Sequence, residues 1–527
     1  MDKKFIKQEE VKEILIEEID KSSFKKKLAV SGVIDRVVQT GGPTVFGIRD
    51  GTGSLSLKGF IAPGQRAYPE INEGDYIKAI IKIEEFNGEI EGDIVKVLKK
   101  TEEAKEQLKK QIEYKEREKA KVKPIKFLVE SVILDKLKER FVLAATEIRL
   151  AIFQGRPIIV RHHCDTDGYA AGFALERAIL PLIEKQHGTE KASWEFFTRS
   201  PSAAPYYEID DSIRDTANSL RNVAKFSNKM PLVIIADNGS TEADLMAIKQ
   251  GKVHGETFIV VDHHQFDKDV ISSEVLVHIN PFLVGESGSK ISAGMLCAEL
   301  ARFVNNEVNN VEQIPALAGL ADRIYLENSK GVEEYLKLAK EKGYSKELLE
   351  DISLVIEYVS AKIKFMEVRE YIEVLFGEPR DKQKELVELM APFIKKLDKK
   401  GLDIGKAHAK LEKINEVTLQ VVFVEEVYPG FGFFPKPGRS IGMLHDDLQT
   451  EKKLEKVISV GVMETAMTFR ATDKANFSIH ELIEFLNKKV PEAFVDGGGH
   501  KNAGSISFLP NRKLKMLELV REFISKR

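Results

Sequence analysis

The sequence predicts an α/β protein with a parallel sheet in the middle of the chain, a small β-barrel before it and a helical insertion after it. Between residues 158 and 324, short apolar strands that end in Asp or His alternate with helical patterns, which is typical of a parallel α/β sheet. Residues 25–100 contain short strands separated by turn sequences, as in a barrel. Residues 331–413 are charged and helical and are too long for a loop.

Length and composition bound the possible functions. A chain of 527 residues predicts roughly three or four domains. The start of the chain has no apolar signal core, and no apolar run approaches the ~18 residues of a membrane span, so we expect a cytoplasmic protein without a membrane partner. Cys164 and Cys297 are too few for a disulfide framework. A net charge of −3 gives no general support for nucleic-acid binding, which must rest on local features.

The spacing of apolar residues changes once within the first hundred residues. Residues 1–24 have apolar side chains at helical spacing and predict a helical arm. From residue 25 the pattern predicts five strands that resemble an OB-fold: Leu28–Val38, Thr44–Arg49, Ser54–Phe60, Tyr76–Glu85 and Ile90–Leu98. Such barrels often bind single strands through aromatic and basic residues, here Phe46, Phe60, Tyr68, Arg49, Lys58 and Arg66, although the phenylalanines also suit the barrel core. Residues 101–125 predict a solvated linker helix.

Four later segments end in acidic or imidazole groups. In the first, the apolar strand Ile158-Ile-Val160 leads into His163, Asp165, Asp167 and Gly168. Asp237 follows an apolar strand, Asp262-His263-His264 follow another, and Asp322 ends a helical run. Each group has an ordinary structural explanation: Asp165, Asp167 or Asp237 could cap a helix, His263 could be a buried donor, and Asp322 could pair with Arg323. Together, the strand ends meet at one edge of a parallel sheet, where such folds bind ligands.

Charge predicts how many cations this edge would hold. Asp165, Asp167, Asp237 and Asp322 would repel one another strongly in a cleft of reduced dielectric. One divalent cation would balance half of that charge, and a second would balance the rest. The residues therefore predict a two-metal site.

Taken together, these motifs and Gly497-Gly-Gly-His-Lys-Asn-Ala-Gly504 resemble the DHH phosphoesterase superfamily, and the glycine-rich stretch resembles the signature of its companion DHHA1 domain. The chain is most similar to archaeal RecJ-like single-strand exonucleases, and the resemblance covers about residues 126–527. It implies a parallel-sheet DHH domain (126–330), a helical insertion (331–413) and a smaller α/β DHHA1 domain (414–527). The first motif, His-x-Asp-x-Asp-Gly, lacks the proline and longer spacing of family pyrophosphatases and small phosphodiesterases.

The resemblance also implies roles for single residues. It implies two divalent cations, with Mn²⁺ preferred and Mg²⁺ possible, and Asp237 as their bridge. The implied metal ligands are His163, Asp165, Asp167, Asp237, His263 and Asp322. His264 would face the scissile phosphate, and Asp262 would orient the histidines. The implied substrate-binding residues are Arg470, Gly498, Gly499, His500 and Asn502. The two glycines have no side chains, so their backbone N–H groups can approach an anion closely.

Two further stretches bear on the substrate. The loop Tyr428–Arg439 combines rings, glycines and cations, which suits base stacking but equally suits packing. Gly285-Glu-Ser-Gly-Ser-Lys290 lacks the spacing of a nucleotide-binding loop, so no use of ATP is expected.

These observations predict a metal-dependent exonuclease that hydrolyses single-stranded DNA or RNA. The resemblance associates it with replication or repair proteins. Two alternatives remain open: a phosphodiesterase for short oligonucleotides or cyclic dinucleotides, and a non-catalytic replication scaffold. The barrel would be unnecessary for the first alternative, and the complete set of ligand residues counts against the second.

Overall fold

The computed structural model describes residues 11–86, 88–202, 204–226, 229–363, 369–428 and 437–527, except for the side chains of residues 226 and 500. It contains a closed five-stranded barrel, a five-stranded sheet and a six-stranded sheet. This confirms the predicted α/β fold class with an N-terminal barrel. The predicted domain boundaries stay a prediction. Among the described residues, no helix has both the length and the apolar character needed to cross a membrane.

The barrel strands lie where the turn sequences predict them. They are β1 Lys27–Gln39, β2 Thr44–Arg49, β3 Ser54–Gly59, β4 Tyr76–Phe86 and β5 Glu89–Lys99. The barrel closes in the order β1-β2-β3-β5-β4, with β1 antiparallel to β4. Alternating side chains such as Ile34, Phe46, Ile48 and Leu57 fill its interior.

The predicted N-terminal arm is not an α-helix within residues 11–24. This stretch forms two 3-10 turns, Ile16–Glu18 and Lys21–Ser23. The backbone of Ile14 donates to the carbonyl of Ala29 at 3.0 Å, and Ile16 is buried against the barrel. An isolated helix of this length is marginal in water, so pairing with the barrel edge is the better use of these apolar residues.

The predicted linker helix forms but is not simply solvated. Helix α1 spans Glu102–Ala120. Its Ile112 and Ala120 are buried, and the buried carboxylate of Glu116 pairs with Arg49 of the barrel. The helix therefore packs against the barrel rather than bridging open solvent.

The five-stranded sheet is parallel throughout and has helices on both faces. Its strands are β6 Ile158–His163, β7 Phe197–Ser202, β8 Leu232–Ala236, β9 Thr257–Val261 and β10 Val277–Ile279, in the order β10-β9-β8-β6-β7. Its helices are α2 Val132–Phe153, α3 Thr166–His187, α4 Ala192–Phe196, α5 Ile209–Phe226, α6 Glu242–Val253, α7 Ala293–Val304 and α8 Ile314–Ala321. Helices α2, α3 and α7 share one core with the sheet, and α6 packs on the opposite face.

The rest of the chain forms the insertion and a mixed sheet. The helices of the predicted insertion are α9 Ser329–Glu341, α10 Lys346–Ser360, α11 Arg369–Leu375 and α12 Arg380–His408. The mixed sheet has the order β11-β12-β13-β14-β16-β15, with strands β11 Lys410–Ile414, β12 Val417–Phe423, β13 Val457–Val462, β14 Ala466–Ala471, β15 Asp496–His500 and β16 Ala503–Ser507. Its helices are α13 Val424–Val427, α14 Pro437–Thr450, α15 Ile479–Lys489 and α16 Lys513–Ser525. Most of the aromatic loop, residues 429–436, lies outside the described residues.

The barrel docks at the far end of α3 from the predicted metal site. The hydroxyl of Ser54 donates to the carbonyl of Gln186 at 3.0 Å, and Arg36 pairs with Glu195 at 2.9 Å. Along α3, Gln186 lies about 27 Å from Gly168 at 1.5 Å of rise per residue. The barrel is therefore separated from the acidic edge of the sheet by the length of this helix.

A buried ion pair fixes β6 against α5 and gives a test of the fold. Arg161 Nη2 lies 2.6 Å from Asp215 Oδ1, and each side chain is 7% exposed. We expect Asp215→Ala to lower the free energy of unfolding by about 3–5 kcal/mol, because it leaves the guanidinium buried and short of a partner. Urea titration measures the change. Glu455→Ala, which removes an exposed pair with Lys474, is the control and should cost less than about 1 kcal/mol.

Candidate metal centre

The predicted site residues come together at the carboxyl edge of the parallel sheet. His163 ends β6, Asp165 is the N-cap of α3, and Asp167 lies in the first turn of that helix. Asp237 directly follows β8, and Asp262, His263 and His264 directly follow β9. Because β6, β8 and β9 are adjacent and parallel, these ends meet. Asp322 reaches the same place from the C-terminus of α8.

The donor atoms form overlapping groups that could hold metal ions. Within each group, one atom per residue lies within 4.8 Å of the others. The groups are His163 with Asp165 and Asp237, Asp167 with His263 and Asp322, and Asp237 with His263 and His264. The first two groups share no residue, and they are linked where His263 Nε2 lies 3.4 Å from Asp237 Oδ1.

This geometry fits two adjacent cations better than one. Each separate group offers imidazole and carboxylate donors, the ligands that Mn²⁺ and Mg²⁺ accept. Asp237 belongs to one group and touches the other, so it has the position of a bridging ligand. The third group shows that His264, predicted to face a phosphate, is also near enough to serve as a ligand.

The electrostatics of the cluster show a deficit of positive charge. Burial raises the pKa of Asp167 well above its usual value, and the carboxylates of Asp322 and Asp237 raise it further. Burial opposes protonation of His263, yet its hydrogen bonds to Asp237 and Asp322 raise that pKa well above the usual range. A carboxyl group and an imidazole whose pKa values are both raised indicate that added positive charge would stabilise the cluster.

Asp167 is held by the N-terminus of α7. Its Oδ1 accepts from the Ser292 hydroxyl at 2.6 Å and from Gly294 N–H at 3.0 Å, and its Oδ2 accepts from Ala293 N–H at 2.9 Å. The helix dipole favours a negative charge at this end. A Cβ on Gly294 would lie 2.8 Å from Asp167 Oδ1, so glycine is needed for this approach.

The histidines are oriented by backbone and carboxylate groups. His263 Nδ1 lies 3.0 Å from the carbonyl of Gly288, which leaves Nε2 directed at the cluster. His264 Nδ1 lies 2.7 Å from Asp262 Oδ1, as predicted for an orienting carboxylate. Burial would raise the pKa of Asp262, but the charge and hydrogen bond of His264, together with His263 and Ser240, lower it overall. Gly288 belongs to the stretch that does not match a nucleotide-binding loop, and here it supports a histidine instead.

Asp237 has a left-handed backbone, with φ of 59°. This conformation is uncommon for residues other than glycine, and such strain concentrates at functional sites. Asp165 caps α3, one of the two residues expected to do so, by accepting from Gly168 N–H at 2.9 Å, and its other oxygen lies 2.8 Å from His163 Nδ1. Asp322 does not pair with Arg323, whose guanidinium contacts Asp446.

The predicted insertion contacts the first motif. The sequence did not predict this contact. Glu357 of α10 accepts from the backbone N–H of Thr166 at 2.7 Å and from its hydroxyl at 3.0 Å. The same hydroxyl also lies 3.2 Å from the carbonyl of Ser353. These contacts span 191 and 187 residues of sequence, so no local pattern could have revealed them.

The predicted substrate-binding residues lie in the mixed sheet. Arg470 is on β14, close enough to Asp322 for that carboxylate to influence its pKa, which burial lowers. Gly498 and Gly499 lie on β15, the edge strand of the sheet, and α6 of the parallel-sheet region contacts β15. Asn502 donates to Asp473. The His500 side chain lies outside the described atoms, so its predicted role stays untested.

Comparisons with known proteins agree with this geometry. No protein-family model matches the chain. An uncharacterized protein of Methanocaldococcus jannaschii is 34% identical over 517 residues, covering 93% of this chain and 67% of that protein. A solved DHH domain, from a protein described as a member of a family of ribosomal proteins, is 36% identical, with a TM-score of 0.75 over 81% of this chain and 99% of that chain. A crystal structure of exonuclease RecJ bound to manganese is 16% identical, with a TM-score of 0.51 over 77% of this chain and 97% of that chain, and shares the fold.

Removing the candidate bridge tests the metal centre. We expect the wild-type chain to bind two Mn²⁺ ions, and Asp237→Asn to weaken Mn²⁺ binding at least about 100-fold, because a ligand should matter more than its supporting contacts. Asn tolerates the left-handed backbone, so the fold should survive. In the presence of a chelator, Asp237→Asn should melt at a higher temperature than the wild type, because the substitution removes a negative charge from the cluster.

Titration calorimetry and thermal melts measure the two effects. Asp267→Asn makes the same change in charge at an exposed position near the motif and should leave both unchanged. Unaltered Mn²⁺ affinity and stoichiometry in Asp237→Asn would contradict the ligand assignment.

The contact from the insertion gives a separate test. We expect Glu357→Ala to weaken Mn²⁺ binding about 10- to 100-fold, because the turn that carries Asp165 and Asp167 loses its partner on α10. Calorimetry with Mn²⁺ measures the loss. Glu350→Ala, at an exposed position of the same helix, should bind as the wild type does. Equal affinities for all three proteins would show that the insertion does not support the site.

Proposed function

The chain belongs to the DHH-domain proteins, and from this premise we propose that it is a metal-dependent exonuclease that hydrolyses phosphodiester bonds of single-stranded nucleic acid. The observation that carries the proposal is the pair of separate His/Asp groups joined by Asp237 and His263 at the sheet edge. The fold shared with an exonuclease RecJ crystallised with manganese supports Mn²⁺ as the preferred cation.

The residues of the chain would hold the cations and orient the substrate. His163, Asp165 and Asp237 would hold one ion, and Asp167, His263 and Asp322 would hold the other. When bound, a pair of divalent cations supplies an activated water and stabilises the charge that develops on the leaving oxygen. His264, fixed by Asp262 through Nδ1, would use Nε2 toward a non-bridging oxygen of the scissile phosphate.

The mixed sheet would hold a neighbouring phosphate of the strand. The Arg470 guanidinium lies against α14, where a Cβ on Gly442 would be 3.8 Å from its Nε, and Asp446 of the same helix pairs with Arg323, the residue after Asp322. The edge strand β15 carries Gly498 and Gly499, whose lack of side chains leaves backbone N–H groups accessible to an anion. The parallel-sheet region and the mixed sheet would thus both contact the same nucleic-acid strand, which would lie between them.

The barrel would contact the strand away from the site of cleavage. Of the predicted barrel residues, Phe46 is in the core, Arg49 is paired with Glu116 and Lys58 with Glu91, whereas Phe60 is 62% exposed. Because the barrel docks beyond the far end of α3, a strand of a few nucleotides could not reach both places. Since a short substrate would reach only the cluster, the same distance also favours a second candidate function, a phosphodiesterase for short oligonucleotides in which the barrel has another role.

Digestion of end-labelled strands separates these functions. We expect release of mononucleotides from single-stranded DNA or RNA with Mn²⁺, no cleavage with chelator, and resistance of duplexes, because the space between the sheet regions must admit a strand to the buried cluster. We also expect a lower KM for strands of about 20 nucleotides than for dinucleotides, since only the longer strands reach the barrel. Electrophoresis of the products measures both.

Three outcomes would revise the proposal. Equal KM and kcat for dinucleotides and long strands would favour the phosphodiesterase. Binding of Mn²⁺ without cleavage of any strand would favour the non-catalytic scaffold. Cleavage that persists in His264→Ala at the wild-type rate would remove that residue from the reaction, whereas Asp267→Asn is the matched control that should cleave normally.

A further inference from the structure

Arg323 and Asp446 form an ion pair between the two sheet regions, directly beside the metal centre. Arg323 Nη2 lies 2.7 Å from Asp446 Oδ2, and Nη1 lies 3.2 Å from Oδ1. Arg323 follows the candidate ligand Asp322, and Asp446 lies on α14. This side-by-side arrangement of two N–H groups is the one that guanidinium offers to carboxylates and to phosphates alike.

The backbone turns Arg323 away from the acidic cluster. Its φ is 55°, in the left-handed region that an arginine rarely adopts. As a result, neighbouring residues face different partners: Asp322 Oδ2 lies 3.2 Å from His263 Nε2, whereas Arg323 reaches the opposite sheet region. A strained conformation persists only when surrounding contacts hold it, and it occurs often at binding sites.

A second guanidinium lies in the same place. Arg470 is close enough to Arg323 for that positive charge to lower its pKa in addition to the effect of burial, while Asp446 and Asp322 act in the opposite direction. Among the described residues, Arg470 forms no ion pair, and its Nη1 donates to its neighbour's carbonyl at 3.3 Å. Arg470 also lies against α14, the helix that carries Asp446: a Cβ on Gly442 would lie 3.8 Å from Arg470 Nε, and a Cβ on Gly438 would lie 3.9 Å from its Nη2.

We propose that Arg323 is a phosphate-binding residue, and that Asp446 occupies its guanidinium until a phosphate of the entering strand replaces the carboxylate. This inference rests on the proposed function. The Arg323 and Asp446 side chains are 53% and 39% exposed, so water can solvate the carboxylate when it leaves. An incoming phosphate would face Arg323 and Arg470 together and would bring the strand next to Asp322.

Exchange of partners predicts opposite effects for the two members of the pair. If Asp446 competes with the nucleic-acid strand for Arg323, only the molecules in which Arg323 has left Asp446 bind the nucleic acid with full affinity. Loss of Arg323 should then weaken binding, and loss of the Asp446 charge should strengthen it. A bridge that merely holds the two sheet regions together would make both losses act in the same direction.

Strand binding and steady-state kinetics test this exchange. We expect Arg323→Gln to raise the Kd for a fluorescent single strand about tenfold, measured by anisotropy with Ca²⁺, and to raise KM with Mn²⁺ similarly while kcat changes less than about threefold. The slope of log Kd against log salt concentration should fall by about 0.7, the value for one lost phosphate contact on a single strand. Asp446→Asn should lower the Kd about three- to tenfold.

Matched variants complete the design. Asp447→Asn removes the adjacent carboxylate of α14, which pairs with Lys406, and should bind as the wild type does. Arg323→Gln combined with Asp446→Asn should bind the strand more weakly than Asp446→Asn alone, because the phosphate contact of Arg323 is lost in the double variant. Mn²⁺ affinity, measured by calorimetry, should be unchanged in all of these proteins.

The inference and the proposed function fail in different ways. Weaker binding by Asp446→Asn, or wild-type binding by Arg323→Gln, would overturn the exchange and leave the exonuclease proposal intact. Failure of the wild-type chain with metal bound to bind or cleave any single strand would overturn the proposed function, and this inference with it.

Discussion

Repulsion among carboxylates at one edge of a parallel sheet is the constraint on which the rest of this structure depends. Asp165, Asp167, Asp237 and Asp322 lie close together, and Asp167 and Asp237 are buried away from screening water, so the fold must hold these carboxylates against their mutual repulsion. The N-terminus of α7, the left-handed turn at Asp237 and the carbonyl that orients His263 all serve this purpose. Cations would remove the repulsion that these contacts leave.

The centre of the fold was predictable because its signals are local. A buried strand that stops at an acidic residue is visible in a few consecutive letters, and β8 followed by Asp237 or β9 followed by Asp262 show it clearly. Turn sequences such as Asp50-Gly-Thr-Gly53 likewise placed the barrel strands to within a residue or two. Because adjacent parallel strands end at the same edge of a sheet, the strand assignments alone bring these residues together.

Other parts carry no local signal. The edge strand β7, Phe197–Ser202, has no apolar run to mark it in the sequence and contains Pro201, which is tolerated because β7 pairs with β6 at the edge of the sheet. The N-terminal arm has helical spacing but finds a better partner in the barrel edge. The supports of the metal centre, such as Gly288 under His263, depend on contacts between distant segments. Sequence patterns can indicate candidate ligands and a neighbouring group such as Asp262, but not the supporting groups that come from distant segments.

The contact between Glu357 and Thr166 bears on how this architecture can diverge. A segment inserted after a catalytic core is usually free to shrink, lengthen or be exchanged between lineages, because only its ends are fixed. Here one carboxylate of the inserted helices completes a turn of the core, so the two have become mutually dependent. Natural variation in this segment should therefore concentrate away from α10, and a shorter descendant would need a substitute for that carboxylate within the core itself.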